Sequence, residues 1–190
     1  MKGVYSVPKK ECFKSARLLY RPFQQKDLQT YVDMCNEDSR RRWFYFQEPD
    51  CLTPAFWEKA IDHNRAAWSK KVNLQEEQAG YDLAIVLKET GALIGSVGLT
   101  KFHGAENELK DIEIGYHIGE AYQGNGYGTE AAIAATRWGF IELHKFGTDL
   151  KIVGKAEHDN VASRRVLEKA GFQFVHSEPY LSVYEICNSK

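Results

Sequence analysis

Three segments in the middle of the chain alternate apolar and polar residues with the period of a β-strand. Residues 81–87 and 92–100 flank the short turn 89–91, and this arrangement predicts a β-hairpin. A third strand is predicted over 109–118. Its apolar face carries Ile112, Ile114, Tyr116 and Ile118, and its polar face carries Asp111, Glu113 and His117.

Apolar residues elsewhere recur with helical spacing. Helices are predicted over 27–35, 53–74, 129–144 and 160–170. Thr53-Pro54 and Asn160 have the character of helix N-caps, and Gly171 follows the last helix as a stop. Shorter apolar runs predict strands at 17–20, 150–154, 172–175 and 181–186, whereas 37–52 is predicted to be irregular.

The predicted order is β-α-α-β-β-β-α-β-α-β-β. Three consecutive antiparallel strands followed by βαβ-like alternation indicate an α/β fold of the mixed α+β kind. We expect a central mixed, mostly antiparallel twisted sheet with helices on both faces. We expect residues 1–14 to form a polar arm and residues 15–190 to form a single domain.

Composition and charge disfavour several classes of protein. The chain has 190 residues, a formal net charge of −1 and 43% hydrophobic residues, which indicates a globular protein and disfavours a nucleic-acid partner. No apolar run is long enough for a membrane span, and the N-terminus lacks a secretory signal, so we expect a cytoplasmic protein. The four cysteines show no CxxC spacing, which favours free thiols and no metal site.

The turn at residues 123–128 contains three glycines in five positions and precedes a strong helix. Backbone N–H groups at such a turn form an anion site, helped by the helix dipole, and a phosphate or pyrophosphate is the obvious ligand. The spacing matches neither a dinucleotide fingerprint, since Thr129 stands where a third glycine is needed, nor a P-loop. The alternative is a tight turn with no ligand.

The segment Gln123-x-x-Gly126-x-Gly128 resembles the acetyl-CoA pyrophosphate motif, Q/R-x-x-G-x-G/A, of the GCN5-related N-acetyltransferases (GNAT). Residues 113–118 precede it as the fourth strand does in that family. The block 160–172, with its N-x-x-S…L-E-K-x-G-F pattern, is similar to the branch of ribosomal-protein N-terminal (Rim-type) acetyltransferases. The opening strand resembles that branch too, so the resemblance covers about residues 15–187.

The resemblance implies the GNAT acyl-CoA N-acyltransferase fold, with acetyl-CoA as co-substrate and no metal. The CoA pyrophosphate would be held by the backbone of the glycine turn, with the Gln123 side chain facing the same phosphates. The residues implied in this contact are Gln123, Gly124, Asn125, Gly126, Tyr127, Gly128 and Thr129. The pantetheine arm would run along the backbone of Tyr116, His117 and Ile118, with Asn160 and Ser163 near the thiol end.

The resemblance implies direct attack of an amine on the thioester, with a backbone N–H of the third strand stabilising the oxyanion. Glu113 is the candidate base, and an exposed strand carboxylate is its alternative. His117 lies four residues further along the same face of the strand. Its side chain is suited to proton transfer near pH 7, so it is the second candidate base. Ser163 either donates a hydrogen bond to the leaving sulfur or is only a residue of the first turn of a helix. Leu167 stands where many family members have a tyrosine acid.

The acceptor is the open question. A protein N-terminus is expected from the Rim-type resemblance. A small amine, such as an aminoglycoside or polyamine, and a non-catalytic acyl-CoA-binding sensor are the alternatives. The aromatic run 43–46 either packs in the core or lines the acceptor cleft, and Arg40-Arg41-Arg42 is either a solvated run or a contact for an acidic acceptor. The sequence does not indicate an oligomeric state.

Overall fold

The computed structural model describes residues 13–43, 53–69, 80–101, 111–143 and 151–188. Its eight strands form one sheet in the order β1-β2-β3-β4-β5-β6-β8-β7. The strands are β1 Phe13–Lys14, β2 Leu18–Arg21, β3 Gly80–Leu87, β4 Leu93–Lys101, β5 Asp111–Ile118, β6 Lys151–Glu157, β7 Gln173–Ser177 and β8 Leu181–Cys187. The helices are α1 Leu28–Cys35, α2 Asp38–Trp43, α3 Pro54–Ser69, α4 Tyr127–Leu143 and α5 Val161–Lys169.

Neighbouring strands pair antiparallel except in the centre of the sheet, where β5 and β6 run parallel. The parallel pair follows from the connection through α4, because a crossover helix returns the chain in the same direction. The predicted mixed, mostly antiparallel sheet is therefore confirmed.

The helices cover both faces of the sheet, and the strands alternate to fill two cores. Leu83 and Ile85 of β3 pack with Ala131 and Ala135 of α4, while Ala84 between them packs on the opposite face. That second core also contains Tyr31 of α1, together with Trp57 and Ile61 of α3. The period-two pattern of the central strands thus encodes a sheet buried on both sides.

Two predictions about the N-terminal third are wrong. Phe13 and Lys14, assigned to the arm, form β1 and pair with Tyr20 and Leu19; Phe13 also stacks on Tyr20 and Trp138, which holds this short strand. Residues 38–43, expected to be irregular, form α2. The rest of the arm and Phe44–Phe46 lie outside the described residues.

The Arg40 side chain explains why the charged run forms a helix. Its guanidinium lies 5.3 Å from the ring centroids of both Tyr31 and Trp57, and the residue is buried. Cation–π contact and burial of its aliphatic stem anchor one face of α2. The expected solvated run holds for Arg41 and Arg42, which are exposed, but is wrong for Arg40.

The structure contains the two predicted helix N-caps, and the two cysteines among the described residues are free thiols. Thr53 Oγ1 accepts from the Phe56 N–H at 3.3 Å, and Asn160 Oδ1 accepts from the Ser163 N–H at 3.0 Å. Cys35 is a buried free thiol and Cys187 an exposed one. None of the described helices has the length and apolarity that a membrane crossing requires.

Candidate active site

The central feature of the site is the point where β5 and β6 part. The two strands pair only from Asp111–Ile114 to Lys151–Gly154. Beyond that point β5 continues along β4 to Ile118, and β6 continues along β8 to Glu157. The facing edges of the two strands therefore leave a wedge in the middle of the sheet, where β5 and β6 no longer pair with each other.

The backbone groups that face this wedge follow from the β4–β5 ladder. The Gly119 N–H donates to the Ile94 carbonyl, and hydrogen-bonded positions alternate along an antiparallel ladder. His117 therefore directs its backbone toward β4, whereas Tyr116 and Ile118 direct theirs toward β6. Of the three backbone contacts expected for the pantetheine arm, Tyr116 and Ile118 have the right orientation and His117 does not.

The glycine turn closes the wedge at the start of α4. Gly124 and Gly126 have φ values of 77° and 78°, a left-handed conformation that favours glycine and turns successive N–H groups to one side. Within the described residues, the backbone N–H groups of residues 124–129 donate no hydrogen bond. Six free donors at the N-terminus of a 17-residue helix form a strong anion site.

Arg17, the residue before β2, clamps this turn and was not predicted as a site residue. Its Nη1 donates to the Asn125 carbonyl at 3.0 Å, and its Nε donates to Glu130 in the first turn of α4 at 2.7 Å. Burial alone would raise the pKa of Glu130, but hydrogen bonds from Arg17 and Ser15 outweigh it and lower that pKa. A positive side chain therefore lies beside the anion site, with an ionised partner that fixes it.

The Gln123 side chain does not face the phosphate position. Its Nε2 donates to the Ile118 carbonyl at 2.8 Å and to Ser39 Oγ at 3.3 Å. The residue instead caps the free end of β5 and ties the turn to α2. The contact of this side chain with the phosphates stays a prediction, and Arg17 is a further polar side chain beside the same turn.

The N-terminus of α5 borders the wedge on the β6 side. Asn160 caps it through Oδ1, and its amide nitrogen makes no hydrogen bond within the described residues. Ser163, in the first turn, lies 2.9 Å from the Tyr116 hydroxyl through its Oγ. Strand β5 and helix α5 thus meet through side chains at the level where β5 and β6 have parted.

Two other residues of α5 serve structure. Leu167 is 1% exposed and packs against Gly154, so the position that carries a tyrosine in many family members belongs to the core here. Arg164 donates to the Tyr184 hydroxyl and to the His158 carbonyl. It is therefore committed to the protein and supplies no charge to the anion site.

The opposite face of β5 carries the candidate bases. Glu113 is half-buried and lies one residue before the point where β5 and β6 part. His117 is buried on the same face, and desolvation, with the nearby charge of Arg40, lowers its pKa to about 3. The expectation that His117 titrates near neutral pH is wrong, because a buried imidazole beside a guanidinium resists protonation.

Glu37, from the turn between α1 and α2, completes this face. Its carboxylate lies 3.8 Å from His117 Nε2 and accepts from the Glu120 N–H at 2.9 Å. Desolvation raises the pKa of Glu37. Glu37 was not singled out from the sequence, and Arg40 was considered only as part of a charged run. Their placement beside His117 depends on how the turn between α1 and α2 packs on β5.

A groove of about 730 Å³ begins at the anion site and continues along α4. Gly126 and Thr129 line its start, and Trp138, Arg137 and Lys169 line its length. The combination of a free N–H cluster, an aromatic wall and two cations suits a phosphorylated ligand with a planar group.

Comparison with known proteins agrees with this geometry. The profile of the acetyltransferase (GNAT) domain matches residues 17–173. The chain belongs to the GNAT acetyltransferase family. The match includes the glycine turn, the wedge and the Asn160–Phe172 block, so the resemblance drawn from these motifs is confirmed.

Two relatives of this GNAT protein in Bacillus subtilis are named as N-acetyltransferases. It is 35% identical to the uncharacterized N-acetyltransferase YjdG of Bacillus subtilis over 97 residues, which are 51% of this chain and 54% of YjdG. It is 26% identical to the uncharacterized N-acetyltransferase YnaD of the same organism over 160 residues, 83% of this chain and 79% of YnaD. The chain thus spans about half of YjdG and most of YnaD.

The fold matches a Rim-type protein. The structure of RimJ of Mycobacterium smegmatis in complex with CoA-disulfide superposes with a TM-score of 0.69 at 18% identity, over 90% of this chain and 82% of RimJ. This confirms the predicted GNAT fold. By family and relatives, the protein is an N-acetyltransferase.

Proposed function

We propose that the protein transfers the acetyl group of acetyl-CoA to a primary amine by direct attack on the thioester, and that the amine is a protein or peptide N-terminus. The observation that supports it best is the wedge between β5 and β6, which the backbone of Tyr116 and the N–H of Ile118 face. It opens beside the six N–H groups of residues 124–129, which donate no hydrogen bond within the described part of the chain. An extended arm ending in a pyrophosphate has the shape and charge that this arrangement accepts.

Each part of acetyl-CoA has a complementary surface. The pyrophosphate lies on the N–H groups of the glycine turn beside Arg17, and the adenosine end enters the groove toward Arg137 and Lys169. The pantetheine arm adds an extra strand along Tyr116 and Ile118. The Asn160 amide, free on its nitrogen side, donates to the arm near the thiol.

The amine attacks from the face of β5 that carries Glu113. Its lone pair forms the N–C bond, and the carbonyl oxygen takes the electron pair while a wedge-facing N–H of β5 stabilises it. Glu113 then accepts the amine proton, directly or through water, and the C–S bond breaks toward sulfur. Ser163 Oγ donates a hydrogen bond to the departing thiolate.

Electrostatics favour an N-terminal amine over a lysine side chain or a polyamine. The charge of buried Arg40 acts across this face, where it lowers the pKa of His117. Because the same face also carries the carboxylates of Glu37 and Glu113, the choice of acceptor rests on the pKa of the amine itself. At pH 7, deprotonation costs about 1 kcal/mol for a terminal α-amino group but about 4.6 kcal/mol for a lysine. The acceptor with the lower pKa therefore suits the site.

The test is an acceptor panel with acetyl-CoA, read by mass spectrometry because thiol dyes would also label the cysteines. It contains peptides with Ala, Ser and Met N-termini, free lysine, spermidine and an aminoglycoside. We expect acetylation of peptide N-termini. A signal from small amines alone would contradict the acceptor assignment. Acetyl-CoA binding with no acetylated product would favour the non-catalytic sensor. Leu167, which is buried, stands where many family members have a tyrosine acid, and this substitution is the reason to consider a sensor.

A further inference from the structure

Tyr116 makes a contact that the mechanism above leaves unused. Its hydroxyl donates to the Ser163 carbonyl at 3.1 Å and lies 2.9 Å from Ser163 Oγ. Tyr116 belongs to the part of β5 that has left β6, and Ser163 belongs to the first turn of α5. The phenol therefore bridges the two elements that border the wedge.

The pair provides a phenol beside α5, although the helix itself has no tyrosine at Leu167. Helix α5 offers no tyrosine at Leu167, whose side chain is buried against Gly154. A phenol nevertheless reaches the N-terminus of α5, delivered from the strand rather than from the helix. Burial raises the pKa of Tyr116 to about 12, so the phenol keeps its proton over the working pH range.

We propose that Tyr116 and Ser163 form a hydroxyl pair that stabilises the CoA thiolate, with Ser163 Oγ donating to sulfur and the Tyr116 hydroxyl donating to Ser163 Oγ. The inference rests on the proposed function for the identity of the thioester. It adds Tyr116 as the positioning residue that sets the direction of the serine proton.

The proton count allows both states. A phenol and a serine hydroxyl each have one proton to donate. Without a thiolate, Ser163 Oγ–H donates to the Tyr116 oxygen, and the Tyr116 hydroxyl donates to the Ser163 carbonyl. With a thiolate, Ser163 Oγ–H turns to sulfur and the Tyr116 hydroxyl turns to Ser163 Oγ. Every donor has an acceptor in each state.

The covalent step remains balanced. The C–S bond breaks with its electron pair on sulfur, the carbonyl C=O re-forms, and the amine proton has already gone to the base. The pair contributes hydrogen bonds and transfers no proton, so both hydroxyls end as they began. The thiolate takes its proton from solvent after release.

The experiment compares CoA with desulfo-CoA, which lacks the thiol, by calorimetric titration at pH 7 and above the thiol pKa of about 8.5. We expect the native protein to bind CoA increasingly more tightly than desulfo-CoA as pH rises. Ser163→Ala should reduce that preference about tenfold, as for loss of a hydrogen bond to a charged group. Tyr116→Phe should do the same, and the double variant should lose little more.

Tyr184→Phe is the matched control. Tyr184 is also a buried tyrosine whose hydroxyl contacts α5, through Arg164 at 3.1 Å and Glu168 at 3.3 Å, and its hydroxyl has other partners than Ser163. This variant should keep the full preference for CoA. An equal loss in Tyr184→Phe would overturn the pair, because the effect would then reflect only the position of the helix.

The outcomes separate this inference from the proposed function. Suppose that the native protein binds acetyl-CoA and acetylates an amine, but Tyr116→Phe keeps the native preference for CoA over desulfo-CoA. The hydroxyl pair is then contradicted, and the proposed function is not. If the native protein binds no CoA, both are wrong. With an acceptor identified, Tyr116→Phe should lower kcat about tenfold and leave the KM for acetyl-CoA within a few-fold.

Discussion

At the scale of single residues, the site depends on backbone conformations that only a few residue types adopt. Gly124 and Gly126 hold φ values near 78°, and between them Asn125 donates its side-chain amide to the Tyr122 and Gln123 carbonyls. The turn thus uses its side-chain donor for its own carbonyls and leaves its backbone donors for a ligand. Glycine supplies the left-handed geometry, and asparagine locks it.

Gly126→Asp should weaken acetyl-CoA binding by at least about 100-fold, or 2.8 kcal/mol. A side chain at this left-handed position is strained, and its carboxylate would repel the pyrophosphate. Calorimetric titration measures the effect. Gly91→Asp is the matched control, because Gly91 has a φ of 72° and lies in the β3–β4 turn. It should be destabilised but should bind acetyl-CoA normally; equal affinity in both variants would contradict the assignment.

Glu113→Gln should lower turnover about 100-fold, the usual scale of general-base catalysis, and leave acetyl-CoA affinity within a few-fold. The substitution keeps the size of a half-buried side chain and removes its basicity. Steady-state kinetics with the best acceptor of the panel measure it, with Glu89→Gln in the exposed β3–β4 turn as the control. Unchanged turnover would show that Glu113 is not the base.

At the scale of elements, helix α2 is locked to the segment that leads into the glycine turn. The Ser39 N–H donates to Glu120 Oε1 at 2.8 Å, and the Glu120 N–H donates back to Glu37 Oε2 at 2.9 Å. Gln123 adds its bond to Ser39 Oγ. The turn that carries Glu37 and the segment before the glycine turn are therefore joined by one hydrogen-bonded connection.

Glu120→Ala should lower the free energy of unfolding by about 1 kcal/mol and weaken acetyl-CoA binding a few-fold. The change removes the acceptor for the N-terminus of α2 and loosens the segment before the turn. Denaturant unfolding and calorimetry measure the two effects. Glu185→Ala on β8, which breaks the pair with Lys151 of β6, should leave the affinity unchanged. If Glu120→Ala binds acetyl-CoA as tightly as Glu185→Ala, the connection does not support the CoA site.

At the scale of the whole molecule, one face of the sheet buries ionisable groups. His117, Glu37 and Arg40 lie together beneath α1 and α2, and His117 is only 6% exposed. Its folded pKa of about 3 lies below its ordinary 6.5. As pH falls below 6.5, the unfolded chain binds a proton that the folded chain refuses, so stability decreases.

The linkage predicts that His117 alone removes about 2 kcal/mol of unfolding free energy between pH 7 and pH 5. His117→Gln should abolish that part of the decrease. The exposed His176 of β7 provides the control, since His176→Gln should keep the native pH dependence. Denaturant unfolding at the two pH values decides it, and identical slopes for all three proteins would contradict the burial argument.

Some elements of this molecule could be predicted from the sequence, and others could not. Strands β3, β4 and β5 and helices α1, α4 and α5 could be predicted because their apolar periods match the faces they bury. Helix α2 could not, because it is anchored by a buried arginine between two rings that come from other elements. The glycine turn could be predicted because its pattern lies within six consecutive residues, 123–128. The roles of Gln123, Arg17 and Tyr116 depend on contacts between distant segments.

The most direct test of the account supplies isotopically labelled acetyl-CoA and follows the label by mass spectrometry, with an N-terminal peptide as acceptor. We predict that the native protein moves the labelled acetyl group to the peptide's α-nitrogen and releases CoA, whereas Gly126→Asp, at the same donor concentration, does neither. Label that stays on CoA in the native reaction, or transfer that proceeds equally in Gly126→Asp, would contradict the central claim.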